Sequence, residues 1–242
     1  MGKRTKARWL ASCMAAVTVL GSAGVPAAAK EAEQPAAAEW GERSFVPDAK
    51  ADKGNFNTGW KFSLGDTAGA EQKEFDDSQW EDIQIPHDFS MDQEFSAQYE
   101  AESGFLPGGT GWYRKTVVFP GDYEGKTLTL NFHGVYNHAY VYVNGTKIGE
   151  NFYGYNDFSL DIPDYVTCHG ETENVISVKA VNEFPSSRWY SGSGIYRDVT
   201  LTVSGDIHVA DEGTYVRTPD LETEQGGGVT VHVETDVRNE RK

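Results

Sequence analysis

The chain has 242 residues, with 37 Asp and Glu against 21 Lys and Arg, and a formal net charge of −16. Binding to duplex nucleic acid or to an anionic membrane surface needs a net basic face, so this composition argues against both. Aromatic residues make up 12% of the chain, enough large apolar groups for a core and against disorder throughout, and two Cys cannot build a disulfide scaffold.

Residues 1–29 have the order of a secretory leader. Lys3, Arg4, Lys6 and Arg8 form a basic start, Trp9 to Val25 is largely apolar, and Ala27-Ala28-Ala29 offers a small-residue cleavage site. The apolar run is short for a membrane span of ~20 residues, so no membrane association is expected beyond this leader. Cleavage after Ala29 removes four positive charges and no acid. It also removes Cys13, leaving Cys168 without an intrachain partner. An exported protein without disulfides fits a bacterial secreted or cell-surface location. Residues 30–51 read as a flexible linker.

From Asn57 onward the pattern is period two. Leu128, Leu130 and Phe132 alternate with polar neighbours, as do Ala139, Val141 and Val143 with Tyr140 and Tyr142, Ile176, Val178 and Ala180, and Val199, Leu201 and Val203. Each set predicts a strand with one face in a core. Asn144-Gly145 between two such runs predicts a hairpin with a type I′ turn, since both residues accept positive φ. The hairpin accounts for these residues better than the glycosylation sequon that Asn144-Gly145-Thr146 also spells. Many short strands with frequent turns predict an all-β chain, with a jelly-roll β-sandwich over 52–205. After Ser204-Gly205-Asp206 only two further strands are evident. They are too few for a sandwich of ~100 residues, so 206–242 reads as the start of an incomplete second domain.

Chemistry-bearing patterns are sparse. No H-E-x-x-H or C-x-x-C is present, and neither a metal nor a cofactor is implied. Gly192-Ser193-Gly194 is not a nucleophile elbow, and Gly108-Gly109-Thr110-Gly111 lacks the Lys of a phosphate loop. Those glycines suit a close approach between strands. Asn182-Glu183 has the residue types of a glycosidase acid/base pair but ends a strand in an all-β segment. Two clusters remain, Ile85-Pro86-His87-Asp88-Phe89 and Ser187-Arg188-Trp189-Tyr190-Ser191-Gly192-Ser193-Gly194-Ile195-Tyr196-Arg197-Asp198-Val199. Each sets polar groups beside aromatic rings, the combination that holds sugars by ring faces and directional hydrogen bonds. Composition alone supports a packing role equally.

At these residues the chain resembles the N-terminal part of glycoside hydrolase family 2, and most of all its β-galactosidases. Five segments match in order: Trp80 through Phe89; Gly111-Trp112-Tyr113-Arg114-Lys115; Phe132-His133-Gly134-Val135-Tyr136; Val141-Tyr142-Val143-Asn144-Gly145 with Gly154-Tyr155; and Ser187 through Val199. The resemblance implies a jelly-roll sugar-binding domain followed by an immunoglobulin-like sandwich and then a barrel of ~250 residues. In that family two barrel Glu roughly 5 Å apart hydrolyse the glycoside with retention. No catalytic residue is therefore expected within 1–242, and the chain alone is expected to be inactive. Its implied partners are a terminal β-D-galactoside and a C-terminal barrel of the same polypeptide. The resemblance makes Arg188 the expected sugar contact, through its planar guanidinium. Asp88 follows as a hydroxyl acceptor or loop brace, and Trp189 as a stacking or packing surface. Arg197 and Asp198 are expected to be structural. β-Glucuronidases and β-mannosidases share the same frame, and a stand-alone carbohydrate-binding module is the other reading.

Overall fold

A computed structural model describes residues 9–11, 56–184, 190–205, 207–219, 221 and 229–239. The described residues contain strands and one short 3-10 turn, Gly121–Tyr123, and no α-helix. The chain divides into two compact units, one of residues 39–203 and one of residues 204–242 together with 1–38.

The larger unit is an all-β sandwich, as the alternation predicts. One sheet has six antiparallel strands in the order β3-β2-β4-β9-β6-β7. These are β2 (Trp60–Leu64), β3 (Glu81–Ile83), β4 (Gly109–Val118), β6 (His138–Val143), β7 (Thr146–Asn151) and β9 (Glu173–Asn182). The other sheet has three strands in the order β10-β5-β8, built from β5 (Thr127–Phe132), β8 (Phe158–Asp161) and β10 (Val199–Ser204). Leu128, Leu130 and Phe132 on β5 and Val199 and Leu201 on β10 meet Ala139, Val141 and Val143 on β6 and Ile176, Val178 and Ala180 on β9 in one core, each at most 1% exposed. The inward sets expected from period two are thus the sets that pack. Cys168 is a free, buried thiol in the same core, pushed up in pKa by burial and then by the Glu124 charge.

The β6–β7 hairpin closes as expected. Val143 pairs with Thr146 across Asn144-Gly145, and both turn residues have positive φ, 48° and 82°. The Asn144 side chain is engaged in the fold. Its amide donates to the Tyr165 carbonyl at 2.9 Å and to Asn174 Oδ1 at 3.0 Å, and its Oδ1 accepts the Val175 N–H at 2.9 Å.

Strands β4 and β9 do not alternate between buried and exposed. Residues 111–115 and 174–178 are buried on both faces. The second covering layer is the 65–80 segment, held by Arg114, whose side chain is 2% exposed. Its Nε donates to Asp77 Oδ2 at 2.8 Å, and Nη1 donates to the carbonyls of Ala70 and Gln72 at 2.6 and 2.9 Å and to Ser177 Oγ at 3.1 Å. Nη2 reaches the Lys73 and Phe75 carbonyls at 3.4 Å, and the guanidinium lies 5.4 Å from the centre of the Phe75 ring. A buried cation with this many acceptors is satisfied; removing it strands an acid and several carbonyls.

The smaller unit has the strand order β1-β12-β11, from β1 (Trp9–Ala11), β11 (Ile207–Arg217) and β12 (His232–Asn239). Strand β11 carries a register irregularity between Val209 and Thr214. Strand β1 falls inside the segment read as a leader; the rest of that segment and the 30–51 linker lie outside the described residues.

Arg114→Ala is expected to lower the unfolding free energy by about 3–5 kcal/mol, measured by urea unfolding. Amides of 65–80 should lose hydrogen-exchange protection well before those of β4 and β9. Uniform loss across the sheet would contradict the anchoring role.

Candidate functional site

The two clusters singled out in the sequence come together at one end of the β4–β9 pair. There Gly109 pairs with Asn182, so the chain leaving β9 starts beside the chain entering β4. The 193–195 segment then threads between two others. His87 N–H donates to the Ile195 carbonyl at 2.8 Å and Phe89 N–H to the Ser193 carbonyl at 3.0 Å. On its opposite edge Tyr136 and Gly194 exchange both backbone bonds at 2.8 Å. Only glycine fits at 194: its φ is +105°, and a Cβ there would collide with the Tyr113 hydroxyl and lie 3.1 Å from the Phe89 ring. Ser193-Gly194 is therefore a packing device, consistent with its not forming a nucleophile elbow.

Asp88 ties these loops together. Its Oδ1 accepts the Ser193 N–H at 2.8 Å and the Ser90 N–H at 3.1 Å. Its Oδ2 accepts the Tyr190 hydroxyl. Around it, Ser90 Oγ lies 2.6 Å from both the Pro107 carbonyl and Ser193 Oγ. The Asn182 amide donates to Ser193 Oγ at 2.8 Å and to the Gly192 carbonyl at 3.3 Å. Asn182 is thus spent on bracing the loop, while Glu183 beside it is exposed. The pair that resembled an acid/base signature has a structural Asn.

These residues enclose an open cleft of about 440 Å³, lined by Pro86, His87, Asp88, Tyr190, Ser191, Gly192 and Tyr196. His87 is fixed from both ring nitrogens: Nδ1 lies 2.9 Å from the buried Tyr113 hydroxyl and Nε2 lies 3.0 Å from Asp92 Oδ2. Burial pushes the Tyr113 phenol far up in pKa, opposed by a hydrogen bond from the Ile195 backbone. Tyr190 is raised as well, first by burial, then by its bond to Asp88 and by the charges of Asp88 and Asp92. Both phenols stay protonated at neutral pH, and Tyr190 donates to Asp88.

The expected sugar-contact residues divide unequally. Asp88 lines the cleft and braces two loops at once. Arg188 and Trp189 lie outside the described residues, as do residues 185–187. Asp198 is structural: its Oδ1 accepts the Asn57 amide at 2.8 Å, and Asn57 Oδ1 accepts the Val199 N–H at 2.8 Å, tying the start of the sandwich to β10. Arg197 reaches the His133 carbonyl at 3.5 Å and sits 5.2 Å from the centre of the Tyr196 ring. Sequence reasoning did not single out Tyr190 or His87 individually; each was a member of a cluster, and the Asp88 contact that gives Tyr190 its role spans 102 positions. Among the described residues no three His, Cys, Asp or Glu side chains come together as metal ligands.

The model of the sugar-binding domain of glycosyl hydrolases family 2 matches residues 54–204. The chain belongs to glycoside hydrolase family 2. It is 41% identical over 177 residues to a β-galactosidase of Bacteroides ovatus, an alignment that covers 72% of this chain and 21% of that protein. It is 35% identical over 185 residues to a putative β-glucuronidase of Formosa agariphila, covering 75% of this chain and 18% of that one. A crystal structure of a family 2 member from Bacteroides cellulosilyticus superimposes with a TM-score of 0.68 at 38% identity, over 77% of this chain and 25% of its own. The chain thus spans about a fifth of the length of the curated relatives it matches. Within family 2 terms, the cleft described here lies on the sugar-binding domain.

Folding favours the protonated form of Tyr190, whose ordinary value is 10.0. Its contribution to stability is complete below that value and falls as pH rises through 10 toward the folded value, because the unfolded chain ionises first. Tyr113 adds to the same alkaline limb. Tyr190→Phe should flatten that limb without abolishing it, read from urea unfolding between about pH 8 and about pH 11. An unchanged slope would remove the Tyr190–Asp88 bond from this account.

Proposed function

We propose that this sandwich supplies one wall of the sugar pocket of an exported bacterial exo-glycosidase that hydrolyses terminal β-D-galactosides with retention. The reactive carboxylates then belong to a barrel elsewhere in the polypeptide, and residues 1–242 bind and shape without cleaving. The observation that carries this reading is the cleft itself: a carboxylate, a fixed imidazole and two tyrosines converge on loops that the Asp88 network locks in place. Rigid, partly apolar walls with a few directed polar groups are what a neutral sugar requires. Secretion rests on the basic, apolar, small-residue order of 1–29.

The similarity to a putative β-glucuronidase makes glucuronide hydrolysis the competing specificity. Among the described lining residues the ionisable acid is Asp88 and there is no Lys or Arg, with Asp92 next to His87. The galactoside reading is supported instead by the 41% identity to the Bacteroides ovatus β-galactosidase, against 35% to the putative β-glucuronidase. In this reading Arg188, carried over from the family resemblance, donates to sugar hydroxyls, Trp189 offers a ring face, and Asp88 positions the loop that bears them.

In the longer enzyme, Arg188→Ala should lower kcat/KM for an aryl β-D-galactoside by about 10- to 100-fold, roughly 1.4–2.8 kcal/mol. An unchanged value would remove Arg188 from the site. A kcat/KM for the matching aryl β-D-glucuronide above that for the galactoside would reverse the specificity.

A further inference from the structure

Next to the cleft the surface carries a strip of rings. Phe152, Tyr153 and Tyr155 are 50, 59 and 44% exposed. The strip continues onto strand β6, where His138 and Tyr140 meet Phe152 edge-on at 5.2 and 5.7 Å between ring centres. In the other direction Tyr155 contacts Tyr153 at 5.7 Å and Tyr136 at 5.4 Å. The strip joins the cleft directly, because the Tyr155 hydroxyl lies 2.9 Å from Oγ of Ser191, a cleft-lining residue.

The turn that presents these rings is held firmly from beneath. Gly154 is buried with its backbone against the Tyr136 ring, leaving no room for a side chain. Its carbonyl accepts the Tyr196 hydroxyl at 2.7 Å, again from a cleft residue. The Asn151 amide donates to the Tyr153 carbonyl at 2.8 Å and to Asn156 Oδ1 at 3.2 Å. A turn this constrained could have buried its rings; instead it holds three of them in water. Polar groups among the rings are phenols, the His138 imidazole, the Asn156 amide and the Ser191 hydroxyl. The nearby ammonium of Lys147 is matched by Glu150.

We propose that Phe152, Tyr153 and Tyr155 form a platform for a neutral oligosaccharide, holding the sugar units beyond the one seated in the cleft. Pyranose rings present flat C–H faces that pack on exposed aromatic faces, while neutral hydroxyls and amides take their equatorial hydroxyls. Prior fixing of the rings means that little side-chain freedom is lost on binding. Continuity with the cleft through Ser191 and Tyr196 selects a glycan chain over a protein partner as the occupant. The inference rests on the cleft being a sugar site, and it goes beyond that reading by assigning the enzyme a preference for chains over single sugars.

The test is an NMR titration of the 242-residue chain, following aromatic and amide signals, with β-linked galactotetraose and, separately, with methyl β-galactoside. The tetraose should shift the Phe152 and Tyr153 ring signals, and methyl β-galactoside should leave them in place. Phe152→Ser/Tyr153→Ser should weaken tetraose binding by about tenfold or more, with the sheet amide spectrum unchanged. Tyr153→Ser alone, at the most exposed ring, gives a separate reading should the double variant fold poorly. Absence of ring shifts at about 20 mM tetraose, a concentration that half-saturates even very weak sites, would overturn the platform. So would ring signals that move with protein concentration and ignore sugar, the behaviour of a contact between copies of the chain. Failure of galactoside turnover in the longer enzyme would count against the pocket reading and would not alter this titration.

Discussion

Strands β4 and β9 run side by side through ten paired residues, from Val118 opposite Glu173 to Gly109 opposite Asn182. The pair lies inside the six-stranded sheet with a layer on each face. One face makes the sandwich core through Tyr113, Ile176, Val178 and Ala180; the other buries Arg114 under the 65–80 segment. The 190–196 loop leaves from its Gly109–Asn182 end, and the 86–90 loop, which follows β3, is fastened there through the Ser90 hydroxyl on the Pro107 carbonyl. A slip of one residue would exchange the two faces, turning Arg114 into the core and the apolar set outward. The register of this one pairing therefore sets core composition, flap attachment and cleft position together.

The cleft shows how such a frame is converted into a defined surface. Loops have few backbone partners of their own, so their polar groups must be satisfied by something else. Here the 86–90 and 190–196 loops satisfy one another. Backbone bonds run from His87 and Phe89 to 195 and 193, and one carboxylate collects two N–H groups and a phenol. Asp88 sits at the surface of a cleft while most of its lone pairs face inward. It serves as a brace first, and any bond it offers a ligand comes on top of that role.

Much of the fold was legible because simple alternation has a simple cause. On β5, β6 and β10 one side faces the core and the other does not, so the apolar set in the sequence is the buried set in space. The Asn144-Gly145 turn was legible for a similar reason, since positive φ at two successive positions is costly for most other residues. Strand β4 was not readable this way. Trp112-Tyr113-Arg114-Lys115 is buried at every position, and the reason, a loop folded over the outer face, is contributed by residues some forty positions away. The site was half legible. Clusters of polar and aromatic residues, and their family resemblance, pointed to the two loops that come together at the cleft. The individual roles of Tyr190, Asn182 and His87 depend on contacts between those loops, which local sequence does not encode.

Arg114 recognises the 65–80 flap mostly through main-chain oxygens, those of Ala70, Gln72, Lys73 and Phe75, with Asp77 as its acidic partner. A carbonyl is the same in every residue. Gln72 and Lys73 therefore owe their place to peptide geometry rather than to side-chain identity, and evolution can rewrite them at little cost to the flap. The guanidinium works as a template for the path of the main chain there, with the Asp77 carboxylate and the Phe75 ring as the two partners whose identity it reads.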